Sequence, residues 1–136
     1  MVDCLFCKII KKEIPAQIVY EDESVMAFLD IKPVNPGHTL LIPKEHFADM
    51  DSASGESLRN IVSVAPKIAR AIMQALGYEA YIFSTNNGEA AGQEVKHLHF
   101  HIIPRAKKDG HLPFAQGTYK EGEMEEIAEK IQKQLK

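Results

Sequence analysis

Three histidines at alternate positions, His97-Leu98-His99-Phe100-His101, constrain this chain more than any other segment. An extended strand sends successive side chains to opposite faces, so the alternation predicts a strand over residues 97–104. The three imidazoles share one face, and Leu98, Phe100 and Ile102 share the other. The apolar face requires a core beneath it. Same-face neighbours on a strand lie roughly 6.5–7 Å apart. Imidazoles half-charged near neutral pH repel one another at that spacing unless an anion or a metal ion lies between them. The run therefore marks a site as well as a strand.

The rest of the chain supplies partners for that strand. A first helix is predicted over residues 4–12 from the helical spacing of Leu5, Phe6, Ile9 and Ile10, with Pro15 ending it. Two short strands follow, near Ile18–Glu21 and Val25–Leu29, joined by the polar turn Asp22-Glu23-Ser24. The turn formers of residues 33–37 lead into a third strand over 38–42. Leu58, Ile61, Val62, Ala65, Ile68, Ala69, Ile72 and Leu76 form one apolar stripe and predict a long helix. Ser52 or Ser54 would cap its start and Gly77 its end, and Pro66 inside it predicts a kink or a break into two helices. A fourth strand at 81–85, the histidine strand and a short amphipathic helix (Met124, Ile127, Ala128, Ile131, Leu135) complete the chain. Five strands without βαβ alternation predict an α+β fold on an antiparallel sheet, in one domain spanning residues 1–136.

A net charge of −3 excludes a protein built to coat nucleic acid. No apolar run reaches the ~20 residues of a membrane span, and no signal-peptide layout opens the chain, so a cytoplasmic location is expected. Both cysteines lie in Cys4-Leu5-Phe6-Cys7. In a reducing compartment this pair reads as thiols or metal ligands, not as a structural disulfide. Zinc would need two further ligands to close its tetrahedron, and only histidine remains to supply them.

Three readings of the histidine run stand side by side. In the first, a neutral imidazole nitrogen attacks phosphorus and forms a covalent phosphoryl- or nucleotidyl-histidine that water then cleaves. His99, with a neighbour on each side, is the attacker, and its other nitrogen needs an acceptor such as a backbone carbonyl. His101 would donate to the phosphate oxygens, and Gly88 and Gly92 would let backbone amides approach them. In the second reading the three histidines hold one catalytic metal ion, although the outer two are rooted about 13 Å apart on a strand. In the third they are polar residues on a solvated strand face.

The segment from Gly92 to Pro104, with His97-Leu98-His99-Phe100-His101-Ile102-Ile103, resembles the histidine triad family. Cys4-Leu5-Phe6-Cys7-Lys8-Ile9-Ile10, Ala27-Phe28-Leu29-Asp30-Ile31-Lys32-Pro33 and Gly37-His38-Thr39-Leu40-Leu41-Ile42-Pro43-Lys44-Glu45-His46 are similar to it in the same order. The similarity spans residues 4–104, and the chain looks like a bacterial member of the branch that includes the Hint-like nucleoside phosphoramidases. It implies a homodimer that extends its sheet and pairs its long helix, and a hydrolase of AMP-linked substrates. A dinucleoside polyphosphate hydrolase and a nucleotide-binding interaction protein with weak turnover are the alternatives. By resemblance, His99 is the nucleophile, His101 and Gln93 join it in the catalytic set, and His38 lies near. Asp30 would bind the ribose hydroxyls, with Phe6, Phe28 and Ile31 around the base. Asn86, Gly92, Gln93 and Glu94 would lie along the phosphate, sugar and leaving group. Some family members carry serine where this chain has Glu94, so leaving-group assistance does not transfer directly. Zinc-containing relatives use the two N-terminal cysteines with histidines that map to His46 and His97. The same mapping makes zinc structural and assigns His97 to the metal instead of the substrate.

Overall fold

The computed structural model describes residues 3–111 and 115–135. Helix α1 (Leu5–Ile10) is followed by strands β1 (Ile18–Glu21), β2 (Val25–Leu29) and β3 (Thr39–Pro43). Helix α2 (Gly55–Leu76) comes next, then β4 (Ala80–Ser84), a 3-10 turn at Glu89–Ala91, β5 (Phe100–Arg105) and α3 (Glu123–Leu135). The strands form one five-stranded antiparallel sheet in the order β1-β2-β3-β5-β4, the α+β arrangement read from the sequence.

Alternation along the central strands divides the core between the two faces of the sheet. Val25, Ala27, Leu41, Leu98, Phe100 and Ile102 pack under α2 against Ile61, Ala65, Ile68, Ala69 and Ile72. Met26, Phe28, Leu40 and Ile42 face the other way and pack with Phe6, Ile9 and Cys4. His101 pairs with Leu40 across the β3–β5 ladder and therefore lies on this second face.

Four features differ in kind from the sequence reading, and β4 starts and ends one residue earlier than expected. Helix α1 ends at Ile10, ahead of Pro15, because Lys12 adopts a left-handed conformation (φ 66°). Strand β3 begins at Thr39, so His38 stands just outside it. Pro66 does not divide α2, which runs unbroken for 22 residues. The proline is exposed and follows the solvent-facing Val62 by one turn, so the carbonyl it leaves without an amide partner faces water. Ser54 caps the helix start through its hydroxyl, and Gly77, at φ 77°, ends it.

The fourth difference concerns the histidines. Strand β5 begins at Phe100, so His97 and His99 precede the ladder. Their segment is held by other bonds: Leu98 N–H donates to the Phe47 carbonyl (2.7 Å), and the Thr85 hydroxyl donates to the His99 carbonyl (2.7 Å). Helix α3 has no buried residue and exposes Met124, Ile131 and Leu135. No helix among the described residues is long and apolar enough to cross a membrane.

Candidate active site and metal centre

The irregular backbone before β5 divides the three histidines between two clusters. His97 turns its Nδ1 toward Cys4 Sγ (3.4 Å), Cys7 Sγ (3.6 Å) and His46 Nδ1 (3.1 Å), and Cys7 Sγ lies 3.4 Å from His46 Nδ1. All four donor atoms lie within 4.8 Å of one another. Around zinc, with Zn–S about 2.3 Å and Zn–N about 2.0–2.1 Å, tetrahedral edges are about 3.6 Å for S–N and about 3.3 Å for N–N. The observed separations match those edges. Hydrogen bonding also prepares the donors. His97 Nε2–H donates to the Pro43 carbonyl (2.9 Å), which leaves a lone pair on Nδ1 facing the centre.

Burial pushes His97 down to about 4, so its ring is neutral near pH 7. Burial and the adjacent Cys4 push the Cys7 thiol up to about 11, so this thiol releases its proton to a bound cation and not to bulk water. Cys4 Sγ additionally accepts from Cys7 N–H (3.3 Å), so one ligand atom also caps α1. The residues present thus fit a tetrahedral zinc site. His97 is taken up there, and three histidines converging on a single catalytic ion does not occur.

His99 and His101 belong to the second cluster, with ring centroids 5.2 Å apart. His99 Nδ1–H donates to the His97 carbonyl at 2.8 Å, so the lone pair resides on Nε2. This is the backbone acceptor that the sequence required of a nucleophilic histidine. Phe6 presses against the ring from the side, centroids 5.1 Å apart and planes at 90°. His38 and His101 are joined at 2.9 Å between Nε2 and Nδ1, and the tautomers follow from the next bond along. Val34 N–H donates to His38 Nδ1 (3.0 Å), so His38 carries its proton on Nε2 and donates it to His101 Nδ1. His101 in turn keeps its proton on Nε2. That two-bond chain makes His101 a donor, and the separate bond to the His97 carbonyl makes His99 an acceptor, toward anything bound between them.

Burial, reinforced by His99 and His38 alongside, pushes His101 down to about 4. Burial also lowers His38, opposed by Asp30, whose Oδ2 lies 3.6 Å from His38 Nε2. Folding therefore favours the neutral form of both rings. As pH falls below about 6.5 the unfolded chain takes up protons that the folded chain refuses, so stability declines. For His101 the loss is complete near pH 4, where the folded ring titrates too. The urea midpoint is expected to fall from pH 7 to 4.5 with a smaller slope in His101→Asn, and equal slopes would refute the assignment.

The remaining site residues are placed differently from one another. Asp30 lies beside His38 and His101, with Oδ1 accepting from Lys32 N–H (2.9 Å), so Oδ2 is the oxygen free for a ligand hydroxyl. Phe6 and Phe28 are buried edge to face (5.4 Å), with Phe6 also against the His99 ring, whereas Ile31 is 91% exposed. Gln93 is occupied by the backbone. Its Nε2 donates to the Ala48 (2.7 Å) and Val95 (3.0 Å) carbonyls, and its Oε1 accepts from Gly88 N–H (2.8 Å). That use makes Gln93 a brace for the loop, with no amide hydrogen left for a substrate. Asn86 Nδ2 similarly donates to the Ala91 carbonyl (2.7 Å). The amides of Ala91, Gly92 and Gln93 are bonded within the same loop, and Gly92 needs its φ of 91° to close it. Glu94 is exposed. Sequence reasoning missed Thr85 and the main-chain groups of Val34, Pro43 and His97, for which no residue type gives a signal.

Comparison with known proteins agrees with this geometry. The HIT domain profile matches residues 11–108. An uncharacterized HIT-like protein of Methanocaldococcus jannaschii is 46% identical over 94% of this chain and 98% of its own length. The adenosine 5'-monophosphoramidase hnt1 of Schizosaccharomyces pombe is 39% identical over 99% of this chain and 100% of its own. A crystal structure from Streptococcus mutans superposes with a TM-score of 0.93 at 42% identity, covering 100% of this chain and 87% of that one. A zinc-bound histidine triad family protein from Mycobacterium smegmatis superposes at 0.77 with 38% identity, covering 87% and 85%. With the profile covering most of its length and its histidines arranged as described, the chain belongs to the HIT domain family.

Proposed function

We propose that the protein is a nucleotide hydrolase that cleaves the α-phosphate P–N bond, or an equivalent acyl- or phosphoanhydride bond, of AMP-linked substrates through a nucleotidyl-His99 intermediate. The hydrogen bond from His99 Nδ1 to the His97 carbonyl carries this reading, because it holds the Nε2 lone pair ready for attack. The activity named for the similar Schizosaccharomyces pombe protein supports the substrate class.

The chemistry balances on the groups present. His99 Nε2 bonds to the α-phosphorus as the phosphorus–amine bond breaks. His101 Nε2–H donates to the phosphate oxygens, and the departing amine takes its proton from a water molecule. The hydroxide that this leaves enters at phosphorus as the P–Nε2 bond breaks, releasing AMP and restoring neutral His99. Asp30 Oδ2 is assigned to the ribose hydroxyls, since a carboxylate oxygen accepts both. Gln93 and Asn86 act through the loop they brace.

Zinc in the Cys4, Cys7, His46 and His97 site supplies structure only and ties α1 to the segment before β5. Thiolate ligands fit a reducing, cytoplasmic setting. A homodimer is part of the same reading. Strand β4 is a sheet edge with Tyr81 and Ile82 exposed, and α2 exposes Val62, so sheet extension together with pairing of α2 would cover all three. Light scattering behind size exclusion is expected to give twice the 15.2 kDa chain mass, and a monomer at micromolar concentration refutes it.

Brief mixing with an AMP phosphoramidate, acid-free quenching and peptide mass mapping test the mechanism. An AMP mass on the peptide containing His99, absent from His99→Ala, is the expected result. Turnover that proceeds in His99→Ala with no adduct in the wild type would overturn it.

A further inference from the structure

We propose that His97 couples the metal centre to the nucleotide site, so that zinc and nucleotide bind cooperatively. The inference rests on the reading of His99 as the reactive residue and adds to it a thermodynamic link that neither site shows alone.

His97 is fully buried and makes three directed contacts, each in a different direction. Its Nδ1 faces the two sulfurs and His46, its Nε2–H holds the Pro43 carbonyl, and its own carbonyl accepts from His99 Nδ1–H. A ligand atom for the metal and the acceptor that sets the tautomer of His99 therefore belong to one residue. The side chain and carbonyl cannot be reoriented independently while Pro43 holds the ring.

A second connection runs through α1. Phe6 lies between the ligands Cys4 and Cys7, and its ring meets His99 at 5.1 Å and His97 at 5.9 Å. Helix α1 has six residues, too few to hold helical structure in isolation, and its capping acceptor is Cys4 Sγ itself. An ion joining Cys4 and Cys7 to His46 and His97 fixes both contacts on His99 together, the carbonyl at Nδ1 and the phenyl ring against its side. Without the ion, His99 loses the restraint that keeps Nε2 the unprotonated nitrogen. Nucleotide binding then has to order α1 and residue 97 as well as the ligand.

Coupling of this kind is reciprocal. AMP, measured by titration calorimetry, is expected to bind about tenfold tighter to zinc-loaded protein than to stripped protein, within the usual range of coupled sites. Zinc, measured by chelator competition, is expected to tighten by the same factor under saturating AMP. A structural role for the metal elsewhere in the fold would not move the tautomer. Long-range ¹H–¹⁵N spectra are expected to show His99 as one Nδ1–H form with zinc and as a mixture without it.

Should the stripped protein fail to fold, Co²⁺ in place of zinc preserves the test, because saturating AMP is then expected to shift the cobalt absorption bands. Affinities that are equal with and without the other ligand overturn the coupling. So does a cobalt spectrum that AMP leaves unchanged. The His99 adduct is scored separately: an adduct without coupling removes only this inference, whereas coupling without an adduct removes the nucleophilic reading.

Discussion

His99→Ala is expected to lower kcat/KM toward a fluorogenic AMP-amine conjugate by about four orders of magnitude or more, equivalent to about 5 kcal/mol of transition-state stabilisation. The size follows from what is removed. Alanine takes away the bonding nitrogen itself, while His101, His38 and Asp30 remain to bind the nucleotide and polarise the phosphate. Residual rate would come from those groups acting on bound water. The contrast with His101→Asn makes the assignment specific. That variant keeps the nucleophile and loses the imidazole donor at the phosphate, so the adduct is expected to form still, with turnover about 10²- to 10³-fold slower. His99 is 7% exposed and packs on Phe6, so thermal melts of both variants must accompany the kinetics. A His99→Ala protein that remains folded and turns over within tenfold of wild type would exclude covalent catalysis at this residue.

Leu41→Ala is expected to destabilise the fold by about 3–4 kcal/mol and to lower Tm by about 10 °C or more. Leu41 is fully buried in β3, paired with Ala27 on one side and Phe100 on the other. Its side chain lies under α2 among Val25, Ile61, Ala65, Ile68 and Ile72. A cavity there is bounded by a central strand held in ladders on both edges, and by a helix whose stripe already contacts the sheet. Neither can move in to fill it, which places the cost in the upper part of the range for leucine truncations. Val19→Ala on β1, at 49% exposure, is the control and should cost under about 1 kcal/mol. Urea unfolding of the two variants checks the pair. A Leu41→Ala loss no larger than the control would mean that the core is not centred beneath α2.

Most of the secondary structure was legible because it depends on periods within one segment. The apolar stripe of α2, its caps at Ser54 and Gly77, and the Asp22 turn are local events, and the structure has each of them. The places where the reading slipped are governed by distant groups. Pro66 looked like a break because Val62, one turn before it, reads as part of the apolar stripe although it faces water. The strand through His97 and His99 looked continuous because alternation persists there, although the backbone bonds go to Phe47 and Thr85 instead of a ladder partner.

The same division holds at the site. By itself the sequence marked the histidines at 97, 99 and 101 as site residues, and Cys4 and Cys7 as a pair able to share an ion; that His97 parts from the other two was not in it. It also set the resemblance that paired the cysteines with His46 and His97. Only the tertiary structure decided what each ring does. A tautomer is chosen by whichever backbone group meets the other nitrogen, and those groups are the Pro43 carbonyl, the His97 carbonyl and the Val34 amide. Every residue except proline carries the same amide, and every residue carries a carbonyl, so nothing in the sequence marks the ones that count. Their positions follow from how β3, the loop before it and the turn into β5 are packed together, which no single segment encodes.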